Sequence, residues 1–125
     1  MKEIIKTKNA PKAIGPFSQA VKSGGLLFVS GQTPFKADGK GIISDNIEDQ
    51  TRQCLNNIKE ILKAADSSLG HVVKTTVFTT NLGQFDRINE VYKEFFTEDL
   101  PARVCVEVSR LPGDAKIEIE VIAVI

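Results

Sequence analysis

The segment PARVCVEV, residues 101–108, combines side chains that could do chemistry with the pattern of a strand. Arg103, Cys105 and Glu107 alternate with valines, and a period of two is typical of a strand whose two faces differ. A guanidinium can bind a carboxylate through two parallel hydrogen bonds, a thiol can act as a nucleophile, and a carboxylate can accept a proton. We therefore expect the valines to face a core and the three functional side chains to share the other face.

A second alternating strand, Lys116 to Val124, brings two further carboxylates. Glu118 and Glu120 point away from the isoleucines and valines that alternate with them. The turn around Leu111-Pro112-Gly113 predicts that this strand and the preceding one form an antiparallel hairpin. Because apolar residues must meet apolar residues, the register places Cys105 opposite Glu118 or Glu120. With a four-residue loop from Arg110 to Gly113, Cys105 would pair with Glu118 and Arg103 with Glu120.

Two interpretations of this polar face differ in what covers it. The first is a cross-strand ion pair on a solvated surface, and such exposed pairs contribute only about 0–1 kcal/mol. The second is a face that a partner chain covers. Ile122 and Val124 fall on the same side as the glutamates, which favours the second interpretation.

The remaining elements would position these two strands. The order predicted from periodicity and turn residues is three strands, a helix, a strand, a helix and the final two strands. Asp45 with Glu48 resembles a capping box at the start of the first helix. Two amphipathic helices can cover only one face of a sheet, which predicts an α+β two-layer domain. The predicted segments before the final pair are Lys2–Thr7, Ser18–Ser23, Leu26–Ser30, a helix with apolar positions from Ile47 to Ala65, Val72–Thr80 and a helix from about Gly83 to Phe96.

Composition narrows the class of protein. A chain of 125 residues with 42% hydrophobic residues suits one domain, residues 1–125. The charges of its 16 basic and 16 acidic residues cancel. The sequence therefore lacks the excess of positive charge that is typical of proteins that bind nucleic acid or an anionic membrane. No signal-peptide pattern is present, which predicts a cytoplasmic protein. Cys54 and Cys105 lack the spacing of metal ligands and are expected to be free thiols.

Several motifs together resemble one family. The sequence is similar to the Rid family, the reactive intermediate deaminases also called YjgF proteins, over nearly its whole length. The matching segments are IGPFSQAV at 14–21, VSGQTP at 29–34, VVKTTVF at 72–78, INEVYKEFF at 88–96, PARVCVEV at 101–108 and RLPGDAKIEIEVIAV at 110–124.

The resemblance implies a chorismate-mutase-like α+β fold, with a mixed sheet and two helices on one of its faces. It also implies a homotrimer whose other sheet faces point inward, with three clefts between subunits. The implied activity is hydrolysis of 2-enamino and 2-imino acids, such as 2-aminoacrylate, to 2-keto acids and ammonia. No cofactor and no metal are expected.

The resemblance also implies roles for individual residues. Arg103 would hold the substrate carboxylate, and Glu118 would position the attacking water and take its proton. Whether Glu118 or Glu120 does so depends on the hairpin register. Cys105 matches a cysteine whose backbone, more than its sulfur, would contact substrate or water. A nucleophilic thiol would need a nearby base, and the only histidine, His71, lies in a turn and is interpreted as a surface residue.

Four further positions would bind the substrate. Ser30 and Gly31 match a loop that offers a hydroxyl and backbone groups to the ligand, and Gly31 permits close approach. Asn89 matches a helix asparagine near the cleft, although its alternative interpretation is a plain polar helix position. Phe17 stands where the family usually has tyrosine, so an aromatic wall remains without its hydroxyl.

Alternative functions come from other classes. The same cleft could bind a small ligand without turnover, and the presence of Arg103 argues against that interpretation. Some relatives are reported as ribonucleases or translation inhibitors, but neutral charge and few aromatic residues count against nucleic-acid binding here. The sequence contains no feature that would argue for or against a chaperone role.

Overall fold

The computed structural model describes residues 1–125, and its elements follow the predicted order. The strand Ile117–Val124 keeps a period-two pattern of burial along most of its length, and each helix buries one stripe. The elements are β1 Glu3–Ile5, β2 Ala20–Ser23, β3 Leu26–Gln32, α1 Ile47–Ala64, β4 Val72–Thr79, α2 Phe85–Phe95, β5 Ala102–Glu107 and β6 Ile117–Val124. Both helices pack on one face of a single mixed sheet, as expected for an α+β fold.

The sheet order is β1-β2-β3-β6-β4-β5, which corrects the predicted hairpin of the last two strands. β5 pairs in parallel with β4, because α2 connects them as a β-α-β crossover. β6 pairs antiparallel with both β3 and β4, so β4 separates it from β5. The connection 108–116 therefore carries the chain from the sheet edge into its middle. Cys105 does not lie opposite Glu118, nor Arg103 opposite Glu120.

The predicted faces of β5 are also reversed. Cys105 aligns with Val77 on β4, which is fully buried under the helices. Residues aligned on neighbouring strands point to the same face, so Arg103 and Cys105 lie on the helix side. Val104 and Val106 are 42% and 37% exposed on the opposite side. The expectation that the valines face the core is wrong, because β5 is an edge strand and its apolar side faces away from the helices.

The helix α1 begins at Ile47, one residue later than a capping box at Asp45 implies. Asn46 is the N-cap, and its side chain accepts a hydrogen bond from the backbone N–H of Asp49. Glu48 instead pairs with Arg87 of α2, at 2.6 Å. This pair and the pair of Arg52 with Glu94 join the exposed edges of the two helices. The buried stripe of α1 packs over β3 and β6 and forms much of the core.

The face of the sheet opposite the helices is called the open face below. It carries Phe28, which is 43% exposed, and Val104, Val106 and Val124. Glu118 and Glu120 lie on this same face, as predicted, because they alternate with the buried residues of β6. Large apolar side chains beside half-buried carboxylates are unusual for a fully solvated sheet face.

No helix of this chain combines the length and the apolar character that crossing a membrane requires.

Candidate active site

Arg103 is held against α2. Its Nη1 donates a hydrogen bond to Oδ1 of Asn89 at 2.8 Å. Its Cζ lies 4.8 Å from the ring centre of Tyr92 and 5.3 Å from that of Phe85. Cation–π contacts of this kind contribute about 0.5–2 kcal/mol each. Aromatic and amide contacts together give the guanidinium a defined position.

Arg103 differs from every other arginine in the chain in having no carboxylate partner. Arg52, Arg87 and Arg110 each form an ion pair within 4 Å, whereas Arg103 forms none. Its Nε and Nη2 make no hydrogen bond within the chain. A half-buried guanidinium with neutral neighbours and free donors can bind an anion.

Three side chains on one face of helix α2 support Arg103. Phe85, Asn89 and Tyr92 are four and three residues apart, which places them on one face of a helix. The Tyr92 hydroxyl lies 2.8 Å from Oγ1 of Thr75 on β4. Burial raises the pKa of Tyr92, and the neighbouring Thr75 and Arg103 oppose that shift. Asn89 was a predicted site residue, whereas Phe85 and Tyr92 were predicted only as apolar positions of this helix, although their helical spacing with Asn89 is visible in the sequence.

Glu118 lies on the open face beside a β-bulge. Val29 pairs with Val121 and Gln32 with Ile119, so two residues of β3, Ser30 and Gly31, occupy the space opposite one residue of β6. A Cβ built on Gly31 would overlap the Glu118 carboxylate. Glycine is therefore required at residue 31 for Glu118 to keep its position.

The carboxyl group of Glu118 has a raised pKa. Burial raises its pKa above the ordinary value of 4.5, and the nearby Glu120 raises it further. Both causes disfavour the charged form, one through loss of solvent and one through like-charge repulsion. A carboxylate with a raised pKa is a stronger proton acceptor than an ordinary one once it is ionised.

The segment before β2 borders the bulge. Ser30 donates from its hydroxyl to the carbonyl of Ser18 at 2.6 Å, and from its backbone N–H to the carbonyl of Gln19 at 2.9 Å. The buried amide of Gln19 in turn bonds the backbone of residues 7–11. Phe17 is 48% exposed on this segment. Gln19 thus fixes the N-terminal segment, a role that was not predicted from the sequence.

Cys105 lies beside Arg103 but is not set up as a nucleophile. Its thiol is half-buried against the core, and burial raises its pKa despite the opposing charge of Arg103. A protonated thiol is a poor nucleophile. His71 is exposed, as expected, and its Nδ1 lies 2.9 Å from the Ser68 hydroxyl in the turn before β4.

The predicted site residues thus divide into two groups within one chain. Arg103, Cys105 and Asn89 lie on the helix side, at the β5 edge. Glu118 and Gly31 lie on the open face. The expectation that Arg103 and Glu118 share one patch of one sheet face is wrong, because β5 does not pair with β6.

A cavity along the N-terminal segment contains neither Arg103 nor Glu118. It has a volume of about 820 Å³. Phe17 and Ser18 are among its lining residues, and no acidic side chain lines it. No group of three or more histidine, cysteine or acidic side chains could hold a metal ion.

Comparison with known proteins identifies the family. The family described as Endoribonuclease L-PSP matches residues 7–125. TdcF of Escherichia coli, whose name marks it as a candidate reactive intermediate deaminase, is 50% identical over 127 aligned residues, covering 99% of this chain and 98% of TdcF. A solved structure of the Rid protein YyfA from Yersinia pestis, whose function is described as unknown, superposes with a TM-score of 0.97 at 46% identity, covering both chains fully. The chain belongs to the Rid family.

Other Rid relatives agree with this assignment. A RutC family protein of Pyrococcus horikoshii, PH0854, is 56% identical over 123 residues, covering 98% of each chain. The crystal structure of Escherichia coli TdcF contains bound serine and superposes with a TM-score of 0.94 at 48% identity, covering 98% of each chain. A Rid protein can therefore hold a small amino acid.

Proposed function

We propose that this Rid protein hydrolyses reactive 2-enamino and 2-imino acids, such as 2-aminoacrylate, to 2-keto acids and ammonia, acting in the cytoplasm. The observation that carries the proposal is the unpaired guanidinium of Arg103, held by neutral contacts and open on its Nε and Nη2 side. These substrates are small carboxylates, and a guanidinium fork matches a carboxylate in charge and geometry. The serine bound to TdcF belongs to the same class of small carboxylates.

The reaction needs a water molecule to attack the imine carbon. Glu118 is proposed to orient that water and accept its proton, a role supported by its raised pKa. An enamine such as 2-aminoacrylate first becomes an imine, as its methylene carbon gains a proton and its nitrogen loses one. Water then adds to the imine carbon, and the proton accepted by Glu118 passes to the nitrogen to give a carbinolamine. When the hydroxyl proton of this intermediate is also transferred to the nitrogen, the C=O bond forms, the C–N bond breaks, and ammonia leaves the keto acid. Cys105 is proposed to contribute its backbone, while Ser30, Gly31 and Phe17 form the opposite wall. No cofactor is required, because the imine carbon is already electrophilic.

The two halves of the proposed site lie on opposite faces of the sheet in one chain. A cleft that uses both must therefore combine Arg103 of one chain with Glu118 of another. This requirement supports a chorismate-mutase-like homotrimer in which the open faces point inward and the clefts lie between subunits. The exposed apolar side chains of the open face, Phe28 and Val104 among them, are available to form that contact.

The test is hydrolysis of 2-aminoacrylate generated in situ, together with binding of 2-ketobutyrate. Arg103→Ala should lose both, and Arg103→Lys should not restore them, because lysine lacks the fork. Arg110→Ala is the matched control, since Arg110 is exposed and pairs only with Asp114. Unchanged hydrolysis in Arg103→Ala contradicts the proposal.

A second candidate follows from the description of the family as an endoribonuclease. Degradation of RNA by the purified protein, abolished in Glu118→Gln, would favour it. The neutral net charge and the exposed position of the only histidine offer such a reaction little support. Tight binding of 2-ketobutyrate without any turnover would instead indicate a ligand-binding protein.

A further inference from the structure

Tyr92 contacts more than one element around Arg103. Its ring lies under the guanidinium, with Cζ 4.8 Å from the ring centre. The same ring packs against Phe96, with centres 4.7 Å apart and planes tilted by 36°. The side chain is nearly buried, so its hydroxyl needs a partner within the protein.

That partner is Thr75, whose side chain is fully buried on the helix side of β4. The two hydroxyl oxygens lie 2.8 Å apart. Thr75 is also the residue of β4 that aligns with Arg103 on β5. One hydrogen bond thus ties the aromatic ring of α2 to the strand position directly beside the arginine.

The result is a guanidinium with one open edge. The ring of Tyr92 restricts the plane of the group, and Asn89 occupies Nη1 at 2.8 Å. Nε and Nη2 remain as two adjacent donors, which together match the two oxygens of a carboxylate. A free arginine side chain loses rotamer entropy when a ligand orders it, so prior ordering of Arg103 favours binding.

We propose that Tyr92 is a positioning residue for Arg103, and that its hydrogen bond to Thr75 fixes the ring so that the Nε and Nη2 edge meets the carboxylate of the ligand. The identity of the ligand rests on the proposed function. The ordering of Arg103 does not, since it is a property of the free chain and can be measured without any ligand.

The first measurement is the Nε–H signal of Arg103 in the ¹⁵N NMR spectrum of the ligand-free protein. The nearby aromatic rings should displace this signal from those of the exposed arginines. Tyr92→Leu should remove most of that displacement, because the ring is gone. Tyr92→Phe and Thr75→Val keep a ring but remove the hydrogen bond, so the signal should broaden or move toward those of the exposed arginines.

The second measurement is binding of 2-ketobutyrate. Tyr92→Phe and Thr75→Val should each weaken it by about threefold to tenfold, the range expected for losing one buried hydrogen bond. The double variant should bind no worse than the weaker single variant, because both changes remove the same bond. A residue that matters only for folding would not produce this coupling.

The control is Thr79→Val. Thr79 is buried on the same face of the same strand, and its hydroxyl donates to the carbonyl of Lys116 at 2.9 Å. This variant should lose comparable stability and leave the Arg103 signal and the binding unchanged. The inference is overturned if Thr79→Val weakens binding as much as Thr75→Val does, or if Tyr92→Phe leaves both signal and binding as in the wild type. Failure of the wild type to bind 2-ketobutyrate would instead contradict the proposed function, and the NMR result would still decide the role of Tyr92.

Discussion

Arg103 and Glu118 have opposite electrostatic surroundings. Arg103 has aromatic and amide neighbours and no carboxylate partner, so its charge is available to an anion. Glu118 is half-buried beside Glu120, so its charged form is disfavoured. Perturbed or unpaired charges of this kind cluster at functional sites. The contrast fits one residue that binds an anion and another that accepts a proton.

The raised pKa of Glu118 predicts the pH dependence of turnover. A general base must be ionised, so turnover should fall as the pH falls through the pKa of Glu118, and this acid limb should lie above the ordinary value of 4.5. Glu120→Gln removes the like charge and should move the limb to lower pH, while burial keeps it above that of a solvated glutamate. Measurement of kcat from pH 4 to 9 tests this, with the exposed Glu98→Gln as control. An unmoved limb in Glu120→Gln would contradict the electrostatic argument.

Cys105 should contribute little through its sulfur. Burial raises the pKa of the thiol, so the nucleophilic thiolate is scarce at neutral pH. Cys105→Ser should therefore retain most of the hydrolysis of 2-aminoacrylate. A loss beyond about a hundredfold in a correctly assembled variant would assign the sulfur a direct part in the reaction.

At the scale of elements, the helices were more predictable than the strand pairings. The apolar spacing of α1 and α2 predicted both helices because a buried stripe repeats along each. The alternation in β5 correctly predicted a strand with two different faces. It could not predict which face meets the helices, because at a sheet edge the apolar side can serve a contact outside the chain.

The sequence does contain a signal for the strand with which β5 pairs. The turn residues Pro112 and Gly113 instead favoured pairing with β6. A strand, a helix and another strand in succession favour parallel pairing of the two strands, which is how β4, α2 and β5 are arranged. The last turn instead suggested a local hairpin. β6 enters the middle of the sheet through contacts distant in sequence, and local turn chemistry does not encode those.

The bulge in β3 gives a prediction about one glycine. A methyl group at residue 31 would overlap the Glu118 carboxylate, which would have to move. Because a misplacement of about 1 Å can cost about a hundredfold in rate, Gly31→Ala should lower kcat strongly. Gly70→Ala is the control, since the nearest atom to its added methyl would be the Ser68 hydroxyl oxygen at 3.8 Å. Full activity in Gly31→Ala would mean that Glu118 is not held in place by the bulge.

For the whole molecule, the open face and the divided site point to the same assembly. Phe28 and Val104 remain exposed in one chain. Burial of apolar area is the main driving force for association, at about 25 cal/mol per Å² before the costs of binding. The proposed homotrimer would have about three times the 13.7 kDa mass of one chain.

Mixed assemblies provide the most direct test of a site shared between chains. Arg103→Ala and Glu118→Gln should each be inactive alone, because every cleft then lacks one of the two groups. If the two variants are dissociated, mixed in equal amounts and reassembled, about a quarter of the clefts should combine an intact Arg103 from one chain with an intact Glu118 from its neighbour. Hydrolysis of 2-aminoacrylate should return to about that fraction of the wild-type rate. A preparation of each variant reassembled separately is the control and should stay inactive. If the mixed assembly has the mass of a trimer but no activity, both groups must act from the same chain. Because Arg103 and Glu118 lie on opposite faces of the sheet in one chain, β5 would then have to move to bring them together.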